Sequence, residues 1–555
     1  MAGFDNMEDV VHDFSPGAQV PVSGGAAATA ATHALASAAY RDDAVTNLLK
    51  ANEDASVQEP RVSLFEPNLG EAFARAVQNR MLSPGRGALV QSFGIEPQTV
   101  VSHCLAANRL RRQRDAKLTV IMVVFGLLFL PGVLLWLGGF QLRRTLAGAQ
   151  DRRAGAMGTA LLLALAAVVV VALVRLPVTG FLGIYARVAV VAPIIGWLWA
   201  KRVCEHTARE LRSRWEGLLS GGGVGAKIPE AVPQDPGDRG AEEIRLNMAK
   251  LAAEQRSNLV FYAGPKGILG MGPRWGSWHL AEDLEPREPG TDIDGFRSWD
   301  VVRGMYDQLR MLERSPLHTG GFPTPSIRHW VVSPISEGAG SISRPESGAE
   351  VEAYRIKDFE IQRICNEQQF DSGNRHYLGV QFVLWDGQLV LTYLVTVTVL
   401  HRTLRIEVTA HALGPVHSVF FDKPSPRTKT VTKWPKFWES KKVTLPVVSA
   451  REVVRLAARA PLTWYPPLLE YLGGKLNLPE PFGLRHVWAD KPWRHRFMAD
   501  DALRAVTPVL RVVHAAAIKV LEEHGVNTEK FGSRSSSLSG QVQSAEPKKA
   551  DEYSA

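Results

Sequence analysis

The chain is poor in cysteine: Cys104, Cys204 and Cys365 are the only three in 555 residues, and they lie far apart. That spacing excludes a disulfide framework and a CxxC-type metal site, and it fits a reducing compartment. No basic residue precedes Arg41, so the positive leader of a signal peptide is missing and the N-terminus is expected to remain cytoplasmic. GxxxxGK[ST], HExxH and GxSxG are absent as well, which leaves phosphate-loop, zinc-protease and α/β-hydrolase chemistry without their spacings. The glycines Gly264, Gly267, Gly270 and Gly272 read as turns between strands. His486 and His495, beside Asp490, Asp500 and Asp501, lack a metal-ligand spacing and read as a solvated loop. No catalytic constellation, cofactor or metal is implied.

Charge is present but unevenly placed. Residues 1–100 hold six Lys/Arg against twelve Asp/Glu, and residues 101–220 hold sixteen against five, within a chain of net charge +8. The basic excess flanks apolar runs instead of forming a patch on a globular surface, which argues against a nucleic-acid partner and for a membrane. The runs are Leu118 to Phe140, Ala156 to Val174 and Val178 to Ala200. The first, about 34 Å long as a helix, is long enough to span. Arg109, Arg111, Arg112, Arg114 and Lys117 precede the first run, and Lys201 and Arg202 follow the third. By the positive-inside rule these flanks are cytoplasmic. Two topologies follow: three full crossings, or a re-entrant first run turning at Pro131-Gly132 with the other two forming a transmembrane hairpin and both termini inside. Arg187 is the one charge deep within a run; it reads as a snorkelling side chain or as a polar lumen or oligomer contact.

Composition divides the rest. Residues 1–60 are acidic and Ala-rich and read as mostly disordered, with one frayed Ala-rich helix. Residues 61–117 read as a helical juxtamembrane region starting its last helix near Pro97, 118–200 as the membrane region, 201–240 as a basic helix and Gly/Pro linker, 241–531 as a folded α+β domain with a mainly antiparallel sheet, and 532–555 as a disordered tail. Within the α+β domain, NLVFYA and RHWVVSPIS predict strands. HYLGVQFVLW and LVLTYLVTVTVL predict a hairpin turning at Asp386-Gly387, LRIEVTAHAL a further strand, and Phe296 to Glu313, Ala450 to Ala460 and Asp500 to His524 helices.

Phe420 to Lys442 stands apart. Lys423, Arg427, Lys429, Lys433, Lys436, Lys441 and Lys442 are interleaved with Trp434, Phe437 and Trp438 against only Asp422 and Glu439. This mixture suits single-stranded nucleic acid, gripped by stacking and phosphate contact, or an anionic leaflet with aromatics at its interface, which membrane tethering favours; a hairpin arm with core aromatics is the plainer alternative.

Asn258 to Gly264, Gly270-Met271-Gly272 and Trp278 form a Tyr-x-Gly…Gly-x-Gly…Trp pattern that is similar to one in uncharacterised membrane proteins of high-GC actinobacteria. Those relatives commonly read Ser-Gly and Pro-Phe-Val-Gly where this chain has Ala263-Gly264 and Gly267-Ile268-Leu269-Gly270. The resemblance implies no catalytic residue and is compatible with a membrane partner of a cytoplasmic machine such as a contractile injection particle. The expectation is therefore a membrane-anchored adaptor at the plasma membrane with anionic lipids, docking a cytoplasmic protein and able to form a homo-oligomer. An oligomeric pore and a membrane-bound enzyme are the alternatives.

Overall fold

A computed structural model describes residues 29–134, 136, 138, 171, 175 and 180–531, except 53, 84–85, 221–227, 231, 234, 315–320, 336–354, 368–372, 427 and 433–439. Its first helix, α1 (Ala30–Ala38), is capped by Thr29, whose hydroxyl accepts from the Thr32 amide, and is buried almost throughout. The Ala-rich run, expected as at most a frayed helix, is a core helix over residues 30–38. Small side chains let it lie close to its neighbours. α2 (Thr46–Leu49) and α3 (Leu69–Leu82) follow; Asn68 caps α3 by accepting from the Glu71 amide at 3.0 Å. α4 (Pro97–Ile121) starts with proline at its first position, where the missing amide costs nothing. α5 (Phe181–Leu219) and α6 (Arg239–Gln255) complete this helical part. Leu35, Phe73, Val77, Val100, Leu211, Trp215 and Leu251 share one core with Phe420, Leu484 and Trp488 from far along the chain. Residues 69–107 are therefore part of the wall of a folded body.

The remainder is built on a mixed six-stranded sheet. Besides the short β1 (Ser56–Val57), its strands are β2 (Leu259–Tyr262), β3 (Arg274–Asp283), β4 (Ser326–Pro334), β5 (Arg375–Leu384), β6 (Leu389–Leu400) and β7 (Thr403–Leu413), in the order β2-β4-β5-β6-β7-β3. β2 and β4 pair in parallel, and the other pairs are antiparallel. The central strands are apolar on both faces. On one face α7 (Ser298–Arg314), α8 (Asp358–Glu367) and the later α11 (Arg496–Glu523) pack Val302, Met305, Ile361, Val506 and Val513 against Val380, Phe382 and Val395. On the other, Trp330, Val390 and Leu394 meet Phe93 and Met271, which joins the sheet to the helical part. Further along come a ribbon of β8 (Thr428–Thr432) with β9 (Ser440–Thr444), α9 (Ala450–Arg459), α10 (Pro466–Gly473) and β10 (Leu476–Asn477), which pairs with β1.

The β5–β6 turn shows why the two parts cannot separate. Trp385, Asp386 and Gly387 all have positive φ. A Cβ on Gly387 would lie 2.6 Å from the Gly94 carbonyl, and one on Gly94 would lie 2.6 Å from a Val390 methyl. Arg485, wholly buried, donates to the carbonyls of Gly387, Gln388 and Gly414, and burial, reinforced by Arg494, lowers its pKa to about 9.

The expected α-helical membrane segment of two or three spans is overturned: among the described residues, no helix is long and apolar enough to cross a membrane. The first run is not one spanning helix. Its leading residues Leu118 and Ile121 are buried against Cys204, Val453 and Leu456, and the α-helix gives way to a π-helical turn over Met122–Leu127. The second run, apart from Val171, lies outside the described residues. The third is the apolar first half of α5, a 39-residue helix that carries Pro193 and continues into a charged half packed on α1, α4 and α9. With the spans go the plasma-membrane placement and the two-sided topology.

One prediction concerns acid. His329 and His376 touch through Nδ1 and Nε2 at 3.0 Å beneath Trp299. Burial lowers the His329 pKa to about 4, while burial and then the neighbouring His329 carry His376 well below 6.5. A neutral histidine is kept in the fold but takes a proton readily once unfolded, so the stability it contributes is complete above pH ~6.5 and is lost as pH falls toward ~4. Urea midpoints should fall between pH 7.5 and 5, and His329→Gln should flatten that dependence.

Candidate docking surface

Four arginines converge on one carboxylate where α3, α4 and α9 meet. Glu71 on α3 is buried and pairs with Arg75 at 2.6 Å and with Arg459 of α9. Arg111 on α4 donates to the carbonyls of Gly70 and Ala39 at 3.3 and 2.7 Å, and Arg114 pairs with Asp115 at 2.8 Å. Burial alone would raise the Glu71 pKa, but Arg459, Arg75, Arg111 and Arg114 together hold it well below the usual carboxylate range. Arg111 and Arg114, read from sequence as juxtamembrane basic residues, are members of a buried ion network. The sequence could not distinguish them from Arg109, Arg112 and Lys117, which are exposed on the same helix.

This network fixes α9, and α9 leads directly into an aromatic shelf. A 3-10 turn over Ala460–Trp464 and the short α10 present Trp464 and Tyr465, 74% and 63% exposed, with Leu468 and Tyr471 beside them. The turn at Ser63–Phe65 packs behind: the Val62 amide donates to the Leu472 carbonyl at 3.1 Å, and Arg61 lies 3.9 Å over the Tyr471 ring. A cavity of about 370 Å³ adjoins it between α3 and β10, lined by Arg75, Asn79, Arg80, Glu470, Lys475 and Asn477 among others. Arg80 there pairs with Glu480 and donates to the Leu478 carbonyl. Exposed single aromatics are ordinary, but Trp464, Tyr465 and Tyr471 close together in sequence, with Arg61 over the Tyr471 ring, have the composition of interface hot spots. The shelf sequence, WYPPLLEYL, is mostly apolar. Only its exposure gives it meaning.

The other expected site residues fall elsewhere. Lys423 is exposed; Lys429, Lys441 and Lys442 are on the β8–β9 ribbon, where Lys429 is opposite Val443 and Lys441 opposite Val431. Phe420, at the start of that segment, is core, packed on Phe73 and Trp488. Arg427, Lys433, Trp434, Lys436, Phe437 and Trp438 lie outside the described residues. Lys201 lies 5.6 Å over the Trp197 ring and Arg202 is exposed. Arg187 is exposed on α5, so its reading as an intramembrane charge lapses with the span that contained it. Among the described residues no group of three or more His, Cys, Asp or Glu side chains could hold a metal. His486 is half-buried, its pKa lowered to about 4 by desolvation and then by Lys266, and His495 stacks edge-on to Trp385.

The Tyr-x-Gly…Gly-x-Gly…Trp pattern proves to be the β2–β3 connection. Gly270 and Gly272 have positive φ, and a Cβ on Gly270 would meet the Gln91 carbonyl at 2.7 Å while one on Gly272 would collide with that of Ala412.

Glu71→Gln should leave Arg459 and its neighbours buried without their counter-charge, at a cost of about 3–5 kcal/mol, read in chemical denaturation at pH 7. Because Glu71 is held ionised, the wild-type share of this stability is present above the ordinary carboxylate pKa and is lost as pH falls below it.

No curated protein and no solved structure matches the chain. Residues 277–546, from within β3 through α11 and including the shelf, match the AbeC-like domain family.

Proposed function

We propose that this protein is a docking adaptor whose aromatic shelf binds a protein partner. The observation that supports the reading is the exposure of Trp464, Tyr465 and Tyr471 on elements that the Glu71–Arg459 pair and the Val62–Leu472 bond hold in place. Preorganised aromatics lose little side-chain entropy on binding, so such a surface yields affinity from modest area. The partner fitting it presents aliphatic anchors to the rings and carboxylates to the rim, where Arg61 and the exposed Lys475 stand. Membrane anchoring forms no part of the proposal.

A photo-crosslinking residue at position 464 in the full chain should capture one protein repeatedly, whereas the same residue at exposed Arg402 should not. The partner, purified, should bind wild type and lose at least ~tenfold in affinity with Trp464→Ala plus Tyr471→Ala, since each hot-spot truncation costs about 2 kcal/mol or more. The double variant should keep its unfolding midpoint. Unchanged binding would defeat the proposal, and a lowered midpoint would show that the rings serve the fold.

A further inference from the structure

Beyond residue 118 α4 leaves the body as one arm of a helical hairpin whose other arm is the first half of α5. The arms meet along a close seam. A Cβ on Gly132 would collide with the Ala189 carbonyl, and one on Gly196 would lie 2.5 Å from Phe125 Cβ. Phe129 stacks on Tyr185, the Tyr185 hydroxyl donates to the Leu128 carbonyl at 2.9 Å, and Trp136 Nε1 donates to the Val190 carbonyl at 2.9 Å. The hairpin is thus a defined element, rooted in the body where Leu118, Ile121, Cys204 and Leu456 pack together.

Among the described residues nothing covers its outer faces. Fifteen large apolar side chains, between Val120 and Leu134 and between Ile184 and Trp199, are each 38 to 64% exposed. With roughly 150–200 Å² for a fully exposed residue of this size, the hairpin offers on the order of 1,000 Å² of apolar surface. A typical monomer leaves a largest patch of about 300–600 Å², whereas a stable interface needs about 800 Å² from each partner. The stretches 118–134 and 181–200 contain no carboxylate, and Arg187 is their single charge. A face without a charge pattern has little to select a foreign partner by, but it is compatible with its own copy. Two antiparallel helix pairs meeting face to face make a four-helix bundle.

We infer that the hairpin is the contact with a second copy of this chain, forming an isologous four-helix bundle centred on the level of Leu127 and Ile195. Arg187 lies nearer the end of the described arms that is away from the body, so an axis at that level keeps the two guanidinium groups apart. The inference is independent of the shelf. A dimer would carry two shelves and bind a multivalent partner with avidity.

The test is the mass of the full chain by sedimentation equilibrium at micromolar concentration. Wild type should be a dimer. Leu127→Lys with Ile195→Lys, both at exposed positions, should be a monomer with unchanged circular dichroism. Cys104, Cys204 and Cys365 are buried, so Leu127→Cys adds the one accessible thiol, and mild oxidation should link two chains through it. That readout stands even where the double Lys variant fails to fold. A monomeric wild type, a dimer that survives the Lys pair while the Leu127→Cys variant forms no cross-link, or a monomer that instead adsorbs through these residues to phosphatidylcholine vesicles would each overturn the inference. Trp464→Ala should leave the dimer intact, which separates failure here from failure of the shelf.

Discussion

The contact between Glu71 and Arg459 carries more of this molecule than its size suggests. It joins α3 in the first hundred residues to α9 nearly four hundred residues later, both ends buried. Around it Arg75, Arg111 and Arg114 compete for one carboxylate, with Asp115 relieving Arg114. A buried pair of this kind contributes little net stability compared with a well-packed apolar substitute, but it is intolerant of losing one member. Its value is positional. The same cluster sets α4, which becomes one arm of the apolar hairpin, and α9, which leads into the aromatic shelf. Two surfaces are thereby held on one frame.

Arg485 does for the sheet what Glu71 does for the helices. Its guanidinium binds main-chain carbonyls from the β5–β6 turn and from the end of β7, and the same turn is pressed against Gly94 so closely that neither glycine has room for a side chain. The sheet and the helical part share their innermost residues and are one folding unit in this respect. The AbeC-like match begins inside β3 and omits β2, so the matched segment alone lacks a strand of its own sheet.

The aromatic shelf and the hairpin differ in kind. The shelf is small, braced on both sides and made of residues that bind through rings and a guanidinium. The hairpin is large, aliphatic and almost chargeless. A specific heterologous contact fits the first and a symmetric contact the second, because specificity needs features that a partner can fail to match.

The sequence alone determined the strands of the central hairpin, since alternating β-branched and aromatic residues around Asp386-Gly387 have few other uses. It also determined the start of α4 at Pro97 and the course of α7 through Val302, Met305 and Leu309. It misplaced the weight of residues 29–121. An Ala-rich helix has too little apolar area to announce burial, and its core position arises only because Phe73, Phe420 and Trp488 close over it. The apolar runs read as spans because hydropathy counts side chains and not neighbours. Leu118 and Ile121 turned inward, a π-helical turn interrupted the first run, and α5 carried its third run on into charge. Tertiary structure also decided which arginines matter: Arg111 and Arg112 are adjacent in sequence, but a helix turns about 100° per residue, so one faces Gly70 and the other faces water.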